Sequence, residues 1–187
     1  MSVVREVVVI PTGDEIKEGV VLDTNSLAIL ELILNQWPGC RFIRAVPPPD
    51  NCKAIQSEIK RWGRHSGIMF LTGGAGGGKV YNSELTEDCT HKAVIELIPD
   101  AETIEIFGSN GHLFAKIVVG KFKEKIIVSL PGPNIEAVAG AKAAIKAIIE
   151  GKDYKGIAIR VGQAICKQYP FKSLKNFGSS PKQLFRN

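Results

Sequence analysis

A chain that alternates short apolar strands with amphipathic helices has few ways to bury both, and the first hundred residues here have that pattern. Val7-Val8-Val9-Ile10 is a continuous β-branched run inside Arg5–Pro11, which reads as a strand buried on both faces. A polar loop follows from Thr12 to about Asn25. Ser26 is then a suitable N-cap for a helix to about Gln36, with Leu27, Leu30 and Leu34 on one stripe and Gly39 closing it. Cys40–Val46 reads as a second strand. Pro47-Pro48-Pro49 fits neither a helix nor a central strand and makes a rigid turn. Asp50 or Asn51 caps a helix to about Arg64 with Ile55 and Ile59 inward. Ile68–Thr72 is a third, short apolar strand, Gly73–Gly78 a loop, and Ser83–Ile98 a helix with Leu85, Cys89, Ala93 and Leu97 periodic. This repetition calls for an α/β fold with a mostly parallel sheet covered on both faces.

The period then changes. Thr103–Phe107, His112–Val119 and Lys125–Leu130 read as strands, with Gly120 and Lys121 in a hairpin turn, so an antiparallel edge hairpin or flap is expected. Pro131-Gly132-Pro133 breaks the chain, and Asn134 caps an Ala-rich helix to about Glu150. Beyond Gly151 the chain is partly helical, with Ile157, Val161 and Ile165 on one face. The expected division is a body over residues 1–151 and a basic C-terminal extension over 152–187.

Composition narrows the function classes. With 187 residues, 44% hydrophobic and 23% charged, the chain is neither disordered nor a disulfide scaffold. Such a length buries roughly 70% of the unfolded surface. No apolar run approaches the ~20 residues that cross a bilayer, and Arg5 and Glu6 precede the first one, so a cytoplasmic protein without membrane contact is expected. The four cysteines, Cys40, Cys52, Cys89 and Cys166, lack zinc or redox spacing and read as isolated reduced thiols; no metal site is expected from them or from the scattered His65, His91 and His112. The net charge of +5 is uneven: residues 152–187 hold eight basic side chains against Asp153, a net +7, which leaves −2 for the rest. A tail whose aromatics dock on the body while its lysines stay in water accounts for this without nucleic acid as a partner.

Three of the strands end in unusual loops, and in open parallel sheets ligands bind beyond the strands' carboxyl ends. Thr12-Gly13-Asp14-Glu15, continuing to Asp23-Thr24-Asn25, offers carboxylates and neutral groups to hydroxyl, amino or ring N–H donors. Thr72-Gly73-Gly74-Ala75-Gly76-Gly77-Gly78-Lys79 holds five glycines in six residues. Its bare backbone lets successive N–H groups converge on one anion at a helix start. Leu130-Pro131-Gly132-Pro133 is the third. Gly73 to Lys79 also fits the core of a Walker phosphate loop, but Val80 stands where Ser or Thr would hold Mg²⁺, and the loop follows the third strand rather than the first.

Together, Thr12-Gly13-Asp14-Glu15-Ile16 with Gly19 and Asp23-Thr24-Asn25, then Thr72-Gly73-Gly74-Ala75-Gly76, then Leu130-Pro131-Gly132-Pro133, resemble the molybdopterin-binding domain superfamily in motif and order. That superfamily includes MogA, MoaB, part of MoeA and gephyrin, and the N-terminal domain of CinA, and the resemblance spans residues 5 to about 150. It implies a three-layer αβα fold that takes molybdopterin above the strand ends, a role in molybdenum cofactor biosynthesis, adenylylation with MgATP in the family's enzymes, and assembly as a trimer or hexamer. Gly73, Gly74, Ala75 and Gly76, continuing to Gly77, would cradle phosphate. Asp14, Glu15 and Asn25, with Gly13 and Asp23, would line the pterin side, and Pro131 and Gly132 the far wall. Asp50, in Pro49-Asp50, matches one catalytic carboxylate of the adenylylating members. The second acidic position holds Tyr81, Ser83 stands where Thr is expected, and Lys79 can add positive charge beside the phosphates. Two other readings follow from these departures: a CinA-like nucleotide pyrophosphatase, or a non-catalytic sensor module binding a nucleotide or pterin.

Overall fold

The computed structural model describes residues 4–73, 89–108 and 113–169, and the backbone of 174–177. One seven-stranded sheet organises them: β1 (Glu6–Pro11), β2 (Arg41–Arg44), β3 (Gly67–Thr72), β4 (Glu102–Gly108), β5 (Leu113–Phe122), β6 (Lys125–Leu130) and β7 (Leu174–Phe177), in the order β2-β1-β3-β6-β5-β4-β7. The first four strands in that order run parallel; β5 and β4 continue the sheet antiparallel, and β7 pairs antiparallel with β4. The expected edge hairpin is thus part of the main sheet. Its turn is the two residues Lys123 and Glu124, because Phe122 pairs with Lys125, and Lys123 takes the positive φ of 53°. Gly120 and Lys121 lie inside β5 instead. Gly120 is small there because a Cβ would come within 3.0 Å of Ala101 and Ile98.

The helices are α1 (Asp14–Lys17), α2 (Thr24–Gln36), α3 (Cys52–Trp62), α4 (Cys89–Leu97), α5 (Asn134–Ile149) and α6 (Tyr154–Cys166). Alternate residues of β1 point to opposite faces, and each face has its own core. Val7 and Val9 pack with Ile29 and Ile33 of α2 and with α5 and α6, whereas Val8 and Ile10 pack with Ile55 and Ile59 of α3 and Ala93 and Val94 of α4. The result is a three-layer αβα molecule. None of the helices among the described residues is long and apolar enough to cross a membrane.

Several caps differ from expectation. Asp23, not Ser26, caps α2: its Oδ1 accepts from the Ser26 N–H at 3.0 Å. The helix ends as Pro38 approaches, with Trp37 as C-cap rather than at Gly39. Its inward stripe is Ile29 and Ile33, while Leu27 and Leu34 are 64% and 47% exposed. Asn51 caps α3 through the Ala54 N–H at 2.9 Å. Pro133 takes the N-cap position of α5 and leaves Asn134 as its first residue. Ile157, Val161 and Ile165 of α6 are buried in the same core as α5, on one face as their spacing predicts.

Candidate functional site

Strand order places the site. The chain steps from β1 to β2 on one side and returns to β3 on the other, so the strand order reverses between β1 and β3, and in open parallel sheets ligands bind beyond the carboxyl ends at such a switch point. The residues leaving those ends are Thr12-Gly13 and Thr72-Gly73. Thr12 N donates to Thr72 O at 2.9 Å, and Thr12 Oγ1 donates to the same carbonyl at 3.2 Å. A hydroxyl has one proton, so Thr90 must supply the proton of the 2.8 Å bond between its Oγ1 and that of Thr12. This threonine cluster fastens the start of α4 beneath the strand ends.

The backbones crowd here. Gly73 has φ 127°, and a Cβ on it would stand 2.3 Å from Thr12 O, so no other residue fits without moving a strand end. Its N–H donates to Leu130 O at 3.3 Å, and a Cβ on Gly132 would come within 3.6 Å of Gly73 Cα. Gly13 has φ 122° and opens the one-turn α1, with a Cβ there running into the Glu15 carboxylate. The three loops singled out in the sequence therefore do meet: Gly13, Thr72, Gly73, Pro131 and Gly132 surround one point of the sheet's carboxyl edge.

The polar residues separate into two groups. Asp23 uses one oxygen on its helix cap and the other on Arg44 Nε at 2.7 Å; Asn25 donates to Gly132 O at 2.8 Å and accepts from Asn134 Nδ2 at 3.0 Å. Both tie α2 to its neighbours, Asp23 to β2 and Asn25 to the start of α5. Asp14 and Glu15 are exposed at the start of α1, where the Glu15 carboxylate lies over Gly13 and Asp14 Oδ1 accepts from the Asp50 N–H at 3.1 Å. That bond brings together two candidates 36 residues apart. Gly74, Ala75, Gly76, Gly77, Lys79 and Ser83 lie outside the described residues.

Sequence reasoning missed Thr90, Arg44 and Asn134 as members of this arrangement, and named Thr12 only as the first residue of its loop. Asn134 had a visible signal, as a polar residue directly after Pro-Gly-Pro, but its role as a cap absorbed that signal. The cysteines also need correcting: Cys52 and Cys89 are not isolated, since Cys52 Sγ donates to Cys89 O at 3.6 Å. Burial, then a hydrogen bond with the Cys52 thiol, then the Asp50 carboxylate push the Cys89 thiol up to about 11. Among the described residues no three His, Cys, Asp or Glu side chains gather closely enough to hold a metal ion.

Comparison with known proteins agrees with this architecture. No curated relative matches the sequence. Among solved structures, CinA from Thermoplasma acidophilum, described as of unknown function, superimposes with a TM-score of 0.59 at 19% identity, over 79% of this chain and 99% of that one. The molybdopterin biosynthesis enzyme MoaB from Thermus thermophilus gives 0.53 at 21% identity, over 81% and 99%. The molybdopterin biosynthesis Mog protein from Mycobacterium ulcerans gives 0.57 at 12%, over 86% and 99%. At these identities the likeness concerns the fold. The family model described as a probable molybdopterin binding domain matches residues 8–150, and the chain belongs to that family.

Proposed function

We propose that this chain binds molybdopterin in the crevice beyond β1, β3 and β6, and that it serves molybdenum cofactor biosynthesis. The observation that carries the reading is the convergence of three glycine-bearing strand ends on one point, with Gly73 held bare by the Thr12 carbonyl 2.3 Å from where its Cβ would stand. Thr72 Oγ1 is fully buried without a hydrogen-bond partner among the described residues, so a donor remains at the same strand end. A bare backbone and a hydroxyl donor suit the phosphate of such a ligand. Thr72 and Gly73, continuing into Gly74, Ala75, Gly76 and Gly77, would hold that phosphate. Asp14 and Glu15 would accept from the pterin's ring and amino N–H groups, with Asn25, Pro131 and Gly132 shaping the wall. Bound molybdopterin supplies the dithiolene sulfurs that take molybdenum.

Adenylyl transfer needs ATP, with Mg²⁺ to offset the phosphate charge. Asp50 would be the carboxylate for that work, and the bond from its N–H to Asp14 supports that assignment. Tyr81, where the adenylylating members carry the second acid, favours ligand binding with weakened catalysis, and Lys79 offers charge in partial compensation. The same substitution supports the second reading, a binding module that senses a pterin or nucleotide without turning it over. Assembly into a trimer or hexamer would cover the exposed Val20, Leu22 and Leu27.

The test is an equilibrium titration of molybdopterin under anaerobic conditions against the wild-type chain and Gly74→Val. The variant is expected to lose at least about tenfold in affinity, the effect of roughly 1.4 kcal/mol, with its thermal midpoint within a degree or two of wild type. Equal affinity in both would remove the glycine loop from the site. If Tyr81→Asp raises MgATP turnover with molybdopterin, adenylyl transfer is the reaction; if it does not, the binding-module reading stands.

A further inference from the structure

The sequence separates Cys52 and Cys89 by 37 residues, and the fold puts them side by side at the starts of α3 and α4. Cys52 Sγ reaches the Cys89 carbonyl at 3.6 Å, and both side chains are half-buried rather than sealed in the core. Their neighbours belong to the crevice. Asp50, two residues before Cys52, bonds Asp14, and Thr90, directly after Cys89, bonds Thr12. We propose that Cys52 and Cys89 are a modification site: a dithiol that closes to a reversible disulfide and cross-links α3 to α4 beside the candidate site.

The chemistry balances with a small disulfide of the glutathione type as oxidant. The Cys52 thiolate attacks one sulfur of that disulfide, its S–S bond breaks, and a small thiolate leaves, with Cys52 now in a mixed disulfide. Cys89 gives up its proton, and its sulfur attacks the Cys52 sulfur and expels the second small thiolate. Two electrons pass from the protein to the oxidant, and one protein disulfide and two small thiols result. Cys52 makes the first attack because burial and the Asp50 carboxylate hold Cys89 protonated. With Cys52 Sγ already 3.6 Å from the Cys89 carbonyl, side-chain rotation can bring the sulfurs to the S–S separation of about 2.05 Å. Oxidation would lock α3, which follows Asp50, to α4, which carries Thr90.

The test uses the full chain, reduced and then incubated in mildly alkaline buffer with excess oxidised glutathione. Alkylation is expected to find two of the four thiols lost. The mass should fall by two hydrogens, and peptide mapping should show one cross-link, joining Cys52 to Cys89. The thermal midpoint should rise by about 5–15 °C and return on adding dithiothreitol. Cys52→Ser and Cys89→Ser should each fold like the reduced protein and show neither the cross-link nor the rise. Four thiols still free, glutathione adducts on both Cys52 and Cys89, or a cross-link through Cys40 or Cys166 would each overturn the proposal. None of these readouts involves a pterin, so they hold or fail independently of the ligand assigned to the crevice.

Discussion

Glu136 sits in the first turn of α5 but is buried, and the Tyr169 hydroxyl donates to its Oε1 while the Phe114 ring packs edge-on against Tyr169 at 4.5 Å. Burial raises the Glu136 carboxyl above its ordinary 4.5, and the bond from Tyr169 offsets part of that rise. The folded chain therefore holds this proton more tightly than the unfolded one. Its contribution to stability is full below about pH 4.5 and is lost as pH rises through the folded value, at up to about 1.4 kcal/mol per pH unit. Glu136→Gln keeps an acceptor for Tyr169 and removes the titration. Urea melts at several pH values should show that variant gaining on wild type as pH rises above the acid range; parallel curves would mean Glu136 titrates alike in both states. Nothing local to α5 announces this burial, and other single residues divide in the same way. Glycine at position 73 is legible as a demand for a bare backbone, but the source of that demand, the carbonyl of Thr12 on a neighbouring strand, is a contact across 61 residues that no local pattern encodes. Asp23 and Asn25 are legible as polar residues at a loop end; that Asp23 is committed to Arg44 and Asn25 to Gly132 and Asn134 depends on where other elements arrive.

At the scale of elements, α2 shows why hydrophobic period alone can choose the wrong face. Thr24-Asn25-Ser26-Leu27-Ala28-Ile29-Leu30-Glu31-Leu32-Ile33-Leu34 is apolar on more than one side, and both the leucine stripe and the isoleucine stripe satisfy a 3.6-residue repeat. Asp23 settles the matter: by capping the helix three residues before Ser26 and pairing with Arg44 of β2, it fixes the rotation that buries Ile29 and Ile33. Ile33→Ala should cost about 2–4 kcal/mol in chemical denaturation, the usual effect of a cavity in a packed core. Leu34→Lys, on the same leucine stripe, should cost under about 0.5 kcal/mol. The opposite ranking would show that the leucine stripe is the buried one.

For the molecule as a whole, alternation of strands and helices was enough to read an α/β fold with a parallel sheet, and the carboxyl-edge position of the three loops followed from it. The antiparallel half was legible as strands forming an antiparallel edge of the sheet; their order beside β6 was not, because pairing partners are chosen by the sheet edge that β6 leaves open, not by the strands' own composition. Residues past Gly151 were legible as a helix with one apolar face; what that face meets is the α5 surface, where Gly140 leaves room for Val161 and Ile165. A chain ending at Gly151 exposes Ala141, Ala144 and Ala147 along with the core they share with α6. It should therefore aggregate or melt more than about 10 °C below the full chain, whereas a chain ending at Tyr169 keeps α6 and should lose less. Matching midpoints for the Gly151 truncation and the full chain would mean that α6 adds nothing to the core.

The central claim is that the sheet's carboxyl edge holds a phosphorylated pterin. Native mass spectrometry of the chain purified without oxygen and mixed with molybdopterin tests it most directly. One ligand per chain on the wild type and none on Gly74→Val is the predicted result. A wild-type chain that stays free of ligand, or equal occupancy in both proteins, would contradict it.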